Sequence, residues 1–184
     1  MTKPLRLSSE EAIMVSAIEL LSRNGHATMS EIALNAGVGR ATLHRLFNNR
    51  DELIRSLQER CIKDTNAAVL ASDDPGLPAI ERLRNMFAAT IPLGDKYTFL
   101  KHEVANDHTV REAYSDELRW VGTLVKKLRA EGAVRDDVPA AWVVTQIDQL
   151  VWSAWSEVSA GRLAPADAPD LAIRTLINGL GVTQ

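Results

Sequence analysis

Apolar residues recur every three or four positions along almost the whole chain, and no stretch alternates apolar and polar residues long enough to predict a sheet. This spacing places apolar side chains on one face of a helix. The chain is therefore predicted to be all-α. The first helix opens at Ser8 and stops at Asn24 and Gly25. The remaining predicted helices cover about 29–36, 40–47, 50–71, 78–91, 95–105, 108–131, 139–160 and 167–180.

Helix-capping residues mark several of these starts. Ser8 precedes Glu11, and Thr28 precedes Glu31, at the S/T-x-x-E spacing of a capping box. Asn49 stands before an acidic first turn, which suits the positive end of a helix dipole. The N-terminal part of the chain is thus predicted to hold a first helix, two short helices and one long helix.

The segment SDDPGLP, residues 72–78, concentrates turn-forming residues and is the best candidate for a domain boundary. We expect a first domain over residues 1–50, a connecting helix at about 50–71 and a second, helical domain over residues 72–184.

Composition limits the possible classes of function. The formal net charge is −3, but residues 1–63 carry a net +2 and residues 64–184 a net −5, so a polyanion would meet the N-terminal part. A single cysteine, Cys61, excludes an intramolecular disulfide. The absence of a secretory h-region and of a long apolar run predicts a cytoplasmic protein with no membrane partner.

Motifs for catalysis, cofactors and metals are absent from the sequence. It contains no nucleophile elbow, phosphate-binding loop or dinucleotide glycine motif, so we expect neither an enzyme nor a cofactor. His102, Glu103 and His108 are close together in the sequence but lack the spacing of H-E-x-x-H. No metal site is predicted.

The stretch GVGRATLHRLFNNRDEL, residues 37–53, combines basic and apolar residues in a distinctive way. Two short helices joined at Gly37, with another helix in front, form the order of a helix-turn-helix, whose second short helix enters the major groove of DNA. The apolar face of that helix is predicted to pack inward, and it comprises Leu43, Leu46 and Phe47. The opposite face carries Arg40, Thr42, His44 and Arg45.

These outward residues are predicted to contact DNA in two ways. Arg40 and Thr42 lie where a guanidinium can bind guanine and a threonine methyl can touch thymine. The other predicted DNA-binding residues lie where side-chain donors and helix starts meet phosphates. They are Thr28, His44, Arg45, Asn49 and Arg50.

The stretch TMSEIALNAGVGRATLHRLFNNRDELI resembles the N-terminal domain of TetR-family (tetracycline-repressor-like) transcriptional regulators. His44 stands where this family usually has tyrosine, and Leu46 where it often has histidine or tyrosine. The resemblance implies an all-α homodimer with a DNA-binding head, a body that binds a small molecule, and a double-stranded operator as partner. It also places a dimer four-helix bundle on the helices at 139–160 and 167–180.

Residues of the body could form the dimer seam and a ligand pocket. In the last helix, Leu171, Thr175, Asn178 and Gly179 form a stripe of mostly small residues. Leu176 of the same helix and Ala154 of the helix at 139–160 are further candidates for the seam. The predicted pocket residues are mainly aromatic or apolar: Met86, Phe99, Trp120, Asp148 and Trp152. Asp148 must be paired, solvated at a rim or reserved for a ligand, because its neighbours are largely apolar.

The leading hypothesis is a ligand-responsive regulator, a repressor, that binds a palindromic operator as a homodimer and is released by a small apolar or amphipathic effector. One alternative is a helical small-molecule-binding or enzymatic protein whose helix-turn-helix no longer functions. Another is an architectural DNA-binding protein without an effector. Sequence-selective, salt-dependent DNA binding separates the first two, and a ligand that reverses the binding separates the first from the third.

Overall fold

The computed structural model describes residues 7–102 and 108–181, and every regular element within these ranges is helical. The prediction of an all-α fold is confirmed. The α-helices in the described ranges are α1 (Ser9–Arg23), α2 (Met29–Asn35), α3 (Arg40–Leu46), α4 (Arg50–Ser72), α5 (Ala79–Thr90), α6 (Gly94–Tyr97), α7 (His108–Ala130), α8 (Ala140–Ser159) and α9 (Ala168–Leu180). Two short 3-10 segments, Ile91–Leu93 and Thr98–His102, flank α6.

Side-chain caps fix the starts of the N-terminal helices. Ser8 accepts a hydrogen bond from the backbone N–H of Glu11, and Asn49 accepts one from the backbone N–H of Glu52. At α2 the capping box is complete, because Thr28 and Glu31 each bond to the other's backbone N–H. These caps satisfy N–H groups that have no partner within the helix, and so they set where each helix begins.

The turn between α2 and α3 requires a glycine. Gly37 has φ +66°, a left-handed conformation that residues with a Cβ rarely adopt. Its N–H bonds to the carbonyl of Leu34, and the N–H of Val38 bonds to the carbonyl of Ala33. This is the Schellman pattern that ends a helix. It turns the chain sharply enough for α3 to begin at Arg40.

The first hydrophobic core lies among helices α1, α2, α3 and α4. Its interior includes Ile13, Ala17, Ile32, Leu43 and Phe47, all at most 3% exposed. The predicted inward face of α3 is therefore buried at two of its three positions, while Leu46 is partly buried. A buried hydrogen bond from Ser16 Oγ to the carbonyl of Ile32, 3.0 Å long, also ties α1 to α2. Together these contacts hold α3 in one orientation.

The second core lies between α5, α7, α8 and α9, and it meets the first core at α6. Tyr97, Leu100 and Trp155 belong to the same cluster of buried residues as the head helices. The α-helix predicted over 95–105 is wrong within the described residues. The chain forms one turn of α-helix to Tyr97 and then a 3-10 segment to His102, and 103–105 lie outside the described residues.

The outer faces of α8 and α9 carry exposed residues. Leu171, Thr175, Asn178 and Gly179 are all exposed on α9, and Trp142 is 54% exposed on α8. Ala154 and Leu176, considered for the dimer seam, are instead buried inside the protomer at 6% and 2% exposure. Their positions face the second core because they continue the apolar stripes of α8 and α9.

Candidate nucleic-acid interface and ligand cavity

The outward face of α3 is exposed and polar. Arg40, His44 and Arg45 are exposed and Thr42 is partly buried, while Leu43 between them is 1% exposed. Within the described part of the chain, none of the three basic side chains has an ion pair or hydrogen bond. Their donors are therefore available to a polyanion. The prediction for this face places base contacts at Arg40 and Thr42 and phosphate contacts at His44 and Arg45.

Two of the predicted phosphate contacts also serve as helix caps. Thr28 Oγ1 donates to Glu31 Oε2 at 2.8 Å and accepts from the Glu31 N–H at 3.3 Å. The side-chain oxygen of Asn49 accepts from the Glu52 N–H at 2.9 Å. Both side chains are thus engaged in positioning α2 and α4.

Arg50 has an intramolecular role that the sequence analysis missed. Its guanidinium donates to the carbonyl oxygens of Ala27, at 2.7 Å, and Gly25, at 3.0 Å. These carbonyls belong to the turn between α1 and α2, so Arg50 ties that turn to the first residue of α4. The turn residues Asn24 and Gly25 signalled a helix end, but no sequence pattern linked their neighbours to a residue more than 20 positions away.

A cavity of about 620 Å³ lies in the body. Helices α4, α5, α7 and α8 supply its walls, together with the 3-10 segment at Thr98–His102. Four of the five predicted pocket residues line it: Met86, Trp120, Asp148 and Trp152. Phe99 does not line it and packs against the first core, while the adjacent Leu100 lines the cavity. The 3-10 segment has about three residues per turn, which changes the side chains that face inward relative to the predicted α-helix.

Helix α4 also contributes to this cavity, which was not predicted from the sequence. One side of the helix lines the wall at an i, i+3, i+4, i+7 spacing, with Gln58, Cys61, Ile62, Thr65, Asn66, Val69 and Leu70. The spacing was visible in the sequence, but α4 was interpreted only as a connector. The same helix therefore both begins beside the turn that Arg50 holds and walls the cavity.

Asp148 is the acidic group of the cavity wall. The Tyr114 hydroxyl donates to its Oδ1 at 2.5 Å, and Gln149 Nε2 donates to its Oδ2 at 3.2 Å. No described Lys or Arg side chain forms an ion pair with it. Burial raises the pKa of the Asp148 carboxyl, and the hydrogen bonds oppose this rise only in part. The carboxylate is therefore held in place without a neutralising cation among the described residues.

The tryptophans of the wall are fixed by neighbouring groups. The rings of Trp152 and Trp155 pack edge to face with centroids 4.8 Å apart, and Trp155 Nε1 donates to the carbonyl of Thr90 at 3.0 Å. Trp120 Nε1 lies 3.3 Å from Asp73, which also forms an ion pair with the buried Arg82. Flat aromatic walls beside a carboxylate suit a ligand that is both apolar and cationic.

Comparison with known proteins agrees with this arrangement. The family model described as bacterial regulatory proteins, tetR family, matches residues 13–57, which run from α1 into α4. The transcriptional repressor LfrR of Mycolicibacterium smegmatis is 29% identical over 141 residues, covering 74% of this chain and 72% of LfrR. Residues 13–57 thus match the tetR family of bacterial regulatory proteins, and the chain is similar to a transcriptional repressor over most of its length.

Other transcriptional regulators are similar to most of the chain. The transcriptional regulator NfxB of Pseudomonas aeruginosa is 24% identical over 176 residues, which are 92% of each protein. The crystal structure of LfrR in complex with proflavine has a TM-score of 0.80 at 22% identity and covers 96% of this chain and 97% of that one. The ketosteroid regulator KstR2 of Mycobacterium tuberculosis has a TM-score of 0.76 at 16% identity and covers the whole of both chains. These structures show the shared fold.

The match to the tetR-family model agrees with the order of the elements. The matched segment contains the helix-turn-helix of α2 and α3, and the cavity lies in the part of the chain that follows. Among the described residues, no helix is both long and apolar enough to cross a bilayer.

Proposed function

We propose that this protein is a TetR-family repressor that binds a palindromic operator as a homodimer and leaves it when a small apolar or amphipathic molecule fills the body cavity. The observation that carries the proposal is the position of α4. This one helix begins beside the helix-turn-helix and forms a wall of the cavity. A ligand that contacts α4 can favour one placement of the head over another, and only such differential binding can change DNA affinity.

On the DNA side, α3 inserts into the major groove with its N-terminal end first. Arg40 is the residue for base contacts there, because it is exposed at the first position of α3. Thr42 supports it, and His44 and Arg45 contact phosphates further along. Thr28, Asn49 and Arg50 lie at helix starts, where their main role is to position N–H groups toward the backbone of DNA.

On the ligand side, the aromatic walls and Asp148 favour an amphipathic cation. Trp120 and Trp152 offer flat apolar surface, and the carboxylate supplies a negative charge without a described cationic partner. LfrR has been crystallised with proflavine, a planar aromatic molecule, which is consistent with this class of effector for a similar cavity. Met86 adds an adaptable apolar contact.

The homodimer places two heads on two operator half-sites. The exposed stripe of α9, at Leu171, Thr175, Asn178 and Gly179, is the proposed seam, together with the outer face of α8 near Trp142. Small residues allow two helices to approach closely, and a two-fold axis makes the seam self-complementary. In this arrangement 1–50 form the head, about 50–71 the connecting helix and 72–184 the body.

The test of the DNA proposal is a selection of genomic fragments by the purified full chain. We expect enrichment of a palindrome whose half-sites are about 34 Å apart, one turn of DNA, or a multiple of this distance. Binding to the palindrome should weaken as salt rises, and the salt dependence should show several phosphate contacts. Enrichment without any shared sequence, or of single half-sites bound by a monomer, would contradict the proposal.

A further inference from the structure

Helix α6 lies between the head and the cavity. It packs against α1 on one side and α8 on the other. A Cβ atom at Gly94 would lie 2.6 Å from Cγ and Cδ1 of Trp155, so the α6 backbone is in direct contact with that indole. Trp155 lines the cavity and is 2% exposed. Because interiors are close-packed, the indole cannot move toward α6 unless α6 moves with it.

Tyr97 lies one turn after Gly94 and connects α6 to α4. Its hydroxyl donates a 2.7 Å hydrogen bond to Oδ2 of Asp64, and the residue is 1% exposed. Burial raises the pKa of the Tyr97 hydroxyl well above its usual range, and the bond to Asp64 adds to this rise. The hydroxyl therefore stays protonated and acts as a permanent donor.

The other oxygen of Asp64 continues the chain of hydrogen bonds to α1. Arg60 Nε donates to Asp64 Oδ1 at 3.0 Å, and Arg60 Nη1 donates to Glu11 Oε2 at 3.0 Å. Only about a third or less of each of these three charged side chains is exposed, at 34% for Arg60, 33% for Glu11 and 27% for Asp64. The four residues thus link α6, α4 and α1 through groups that are partly shielded from solvent and salt.

We propose that Tyr97, Asp64, Arg60 and Glu11 form a polar relay that transmits filling of the cavity to the DNA-binding head. The inference rests on the proposed function, because it describes how the same cavity regulates DNA binding. A ligand that displaces Trp155 shifts α6, and Tyr97 then either pulls Asp64 with it or loses the hydrogen bond. Either result changes the position of α1 relative to α4. Since α1 packs on α3, the recognition helix moves with it.

The relay residues act as positioning residues, so their variants should separate coupling from binding. The probe is tetraphenylphosphonium, an aromatic cation that does not depend on DNA intercalation. We define the coupling ratio as its affinity for the protein alone divided by its affinity for the protein with operator. In Tyr97→Phe and Glu11→Gln we expect an unchanged affinity for the protein alone and a coupling ratio lower by about threefold or more.

Two comparisons show whether the residues act through one chain. The coupling ratio of the double variant Tyr97→Phe, Glu11→Gln should be no lower than that of the more affected single variant, because both substitutions interrupt the same relay. Glu19→Gln is the matched control on α1, since it makes the same change in a residue whose partners among the described residues, Arg23 and Asn35, lie within the head. It should keep the wild-type ratio. A wild-type ratio in both Tyr97→Phe and Glu11→Gln would overturn the relay.

A measurement without ligand keeps the relay testable if the wild type does not respond to the probe. Amide hydrogen exchange in α1 should be faster in Tyr97→Phe than in the wild type, whereas Tyr114→Phe should leave it unchanged. Tyr114 also donates to a carboxylate, Asp148, but this pair joins α7 to α8 and is not part of the hydrogen-bond chain to α1. An unresponsive wild type with faster exchange in Tyr97→Phe would refute the proposed function and retain the linkage. Unchanged exchange in α1 would overturn the relay itself.

Discussion

The guanidinium of Arg50 donates a 2.7 Å hydrogen bond to the carbonyl of Ala27 and so joins the start of α4 to the turn before α2. A second bond reaches Gly25 at 3.0 Å. The geometry of the helix-turn-helix relative to α4 therefore depends on a residue that the sequence assigned to phosphate binding. In the free protein, Arg50 is a structural residue, and contact with DNA is an additional proposal.

Removal of this side chain should lower stability. We expect Arg50→Ala to reduce the free energy of unfolding by about 1 to 3 kcal/mol, because two hydrogen bonds from a charged donor are lost and two carbonyls lose their partners. Urea unfolding of the full chain measures the change. Arg45→Ala is the matched control, since Arg45 is exposed on α3, and it should change stability by less than about 0.5 kcal/mol. Equal losses in the two variants would contradict the structural role.

Arg40→Ala should affect specific binding more than non-specific binding. The residue lies at the first position of α3, so a lost base contact should cost about 1 to 3 kcal/mol on operator DNA and relax the preference at one base pair. Fluorescence anisotropy on operator and random duplexes at the same salt concentration checks this. Arg45→Ala should instead weaken both by a similar factor. Similar losses on both duplexes for Arg40→Ala would refute the base contact.

The raised pKa of Asp148 gives opposite pH dependences for stability and for cation binding. The folded state holds the proton more tightly than the unfolded state, so stability falls as the pH rises from the unfolded value, about 3.9, through the folded value. Asp148→Asn should remove this fall and be the more stable protein at neutral pH. A series of thermal unfolding measurements against pH tests it. A wild type that gains stability relative to Asp148→Asn over that range would show the sign to be wrong.

Cation binding should follow the ionised form of the same residue. Affinity for tetraphenylphosphonium should rise with pH through the folded pKa of Asp148, and Asp148→Asn should lower it on the order of tenfold to a hundredfold at neutral pH. Affinity for triphenylphosphine oxide, a neutral ligand with similar aromatic groups, should change little. Titrations followed by tryptophan fluorescence give both values. Equal losses of affinity for the cation and for the neutral ligand would show that the charge of Asp148 does not contribute to ligand binding.

Gly179→Arg tests the proposed dimer seam without disturbing the protomer. A Cβ at Gly179 meets no other atom within 4 Å, and the residue is exposed on α9. An arginine should therefore be tolerated in the monomer but should separate a dimer built on this stripe, because it buries an unpaired charge twice across the two-fold axis. Sedimentation measures the outcome, and Thr123→Arg on the exposed face of α7 is the control. A Gly179→Arg dimer as stable as the wild type would place the seam elsewhere.

Local signals in the sequence predicted most helix starts. Ser8, Thr28 and Asn49 cap helices as expected, because a cap depends only on residues within the next turn. The apolar period also predicted that Leu43 and Phe47 face inward. The prediction of one α-helix over 95–105 was wrong because tertiary contacts shape this segment more than helix propensity does. These contacts are the packing of Gly94 against Trp155 and the burial of Tyr97.

The types of residue that line the cavity could be predicted from the sequence, but their positions in the chain only in part. Met86, Trp120 and Trp152 were predicted as apolar or aromatic residues and Asp148 as a carboxylate among apolar neighbours, and all four line it. Phe99 was selected for the same reason, but its direction depends on a 3-10 segment that periodicity did not reveal. The bonds of Arg50 and Tyr97, by contrast, join residues far apart in sequence. Such contacts depend on how helices pack and leave no local pattern.

One ligand in the body is expected to change the affinity of the head for DNA, and reciprocal titration is the decisive measurement. Tetraphenylphosphonium affinity is measured by tryptophan fluorescence with and without saturating operator, and operator affinity is measured with and without saturating cation. Because coupling is reciprocal, we expect both affinities to fall by the same factor, roughly 5- to 150-fold. Tight binding of the cation with equal affinity in the presence and absence of operator would contradict it.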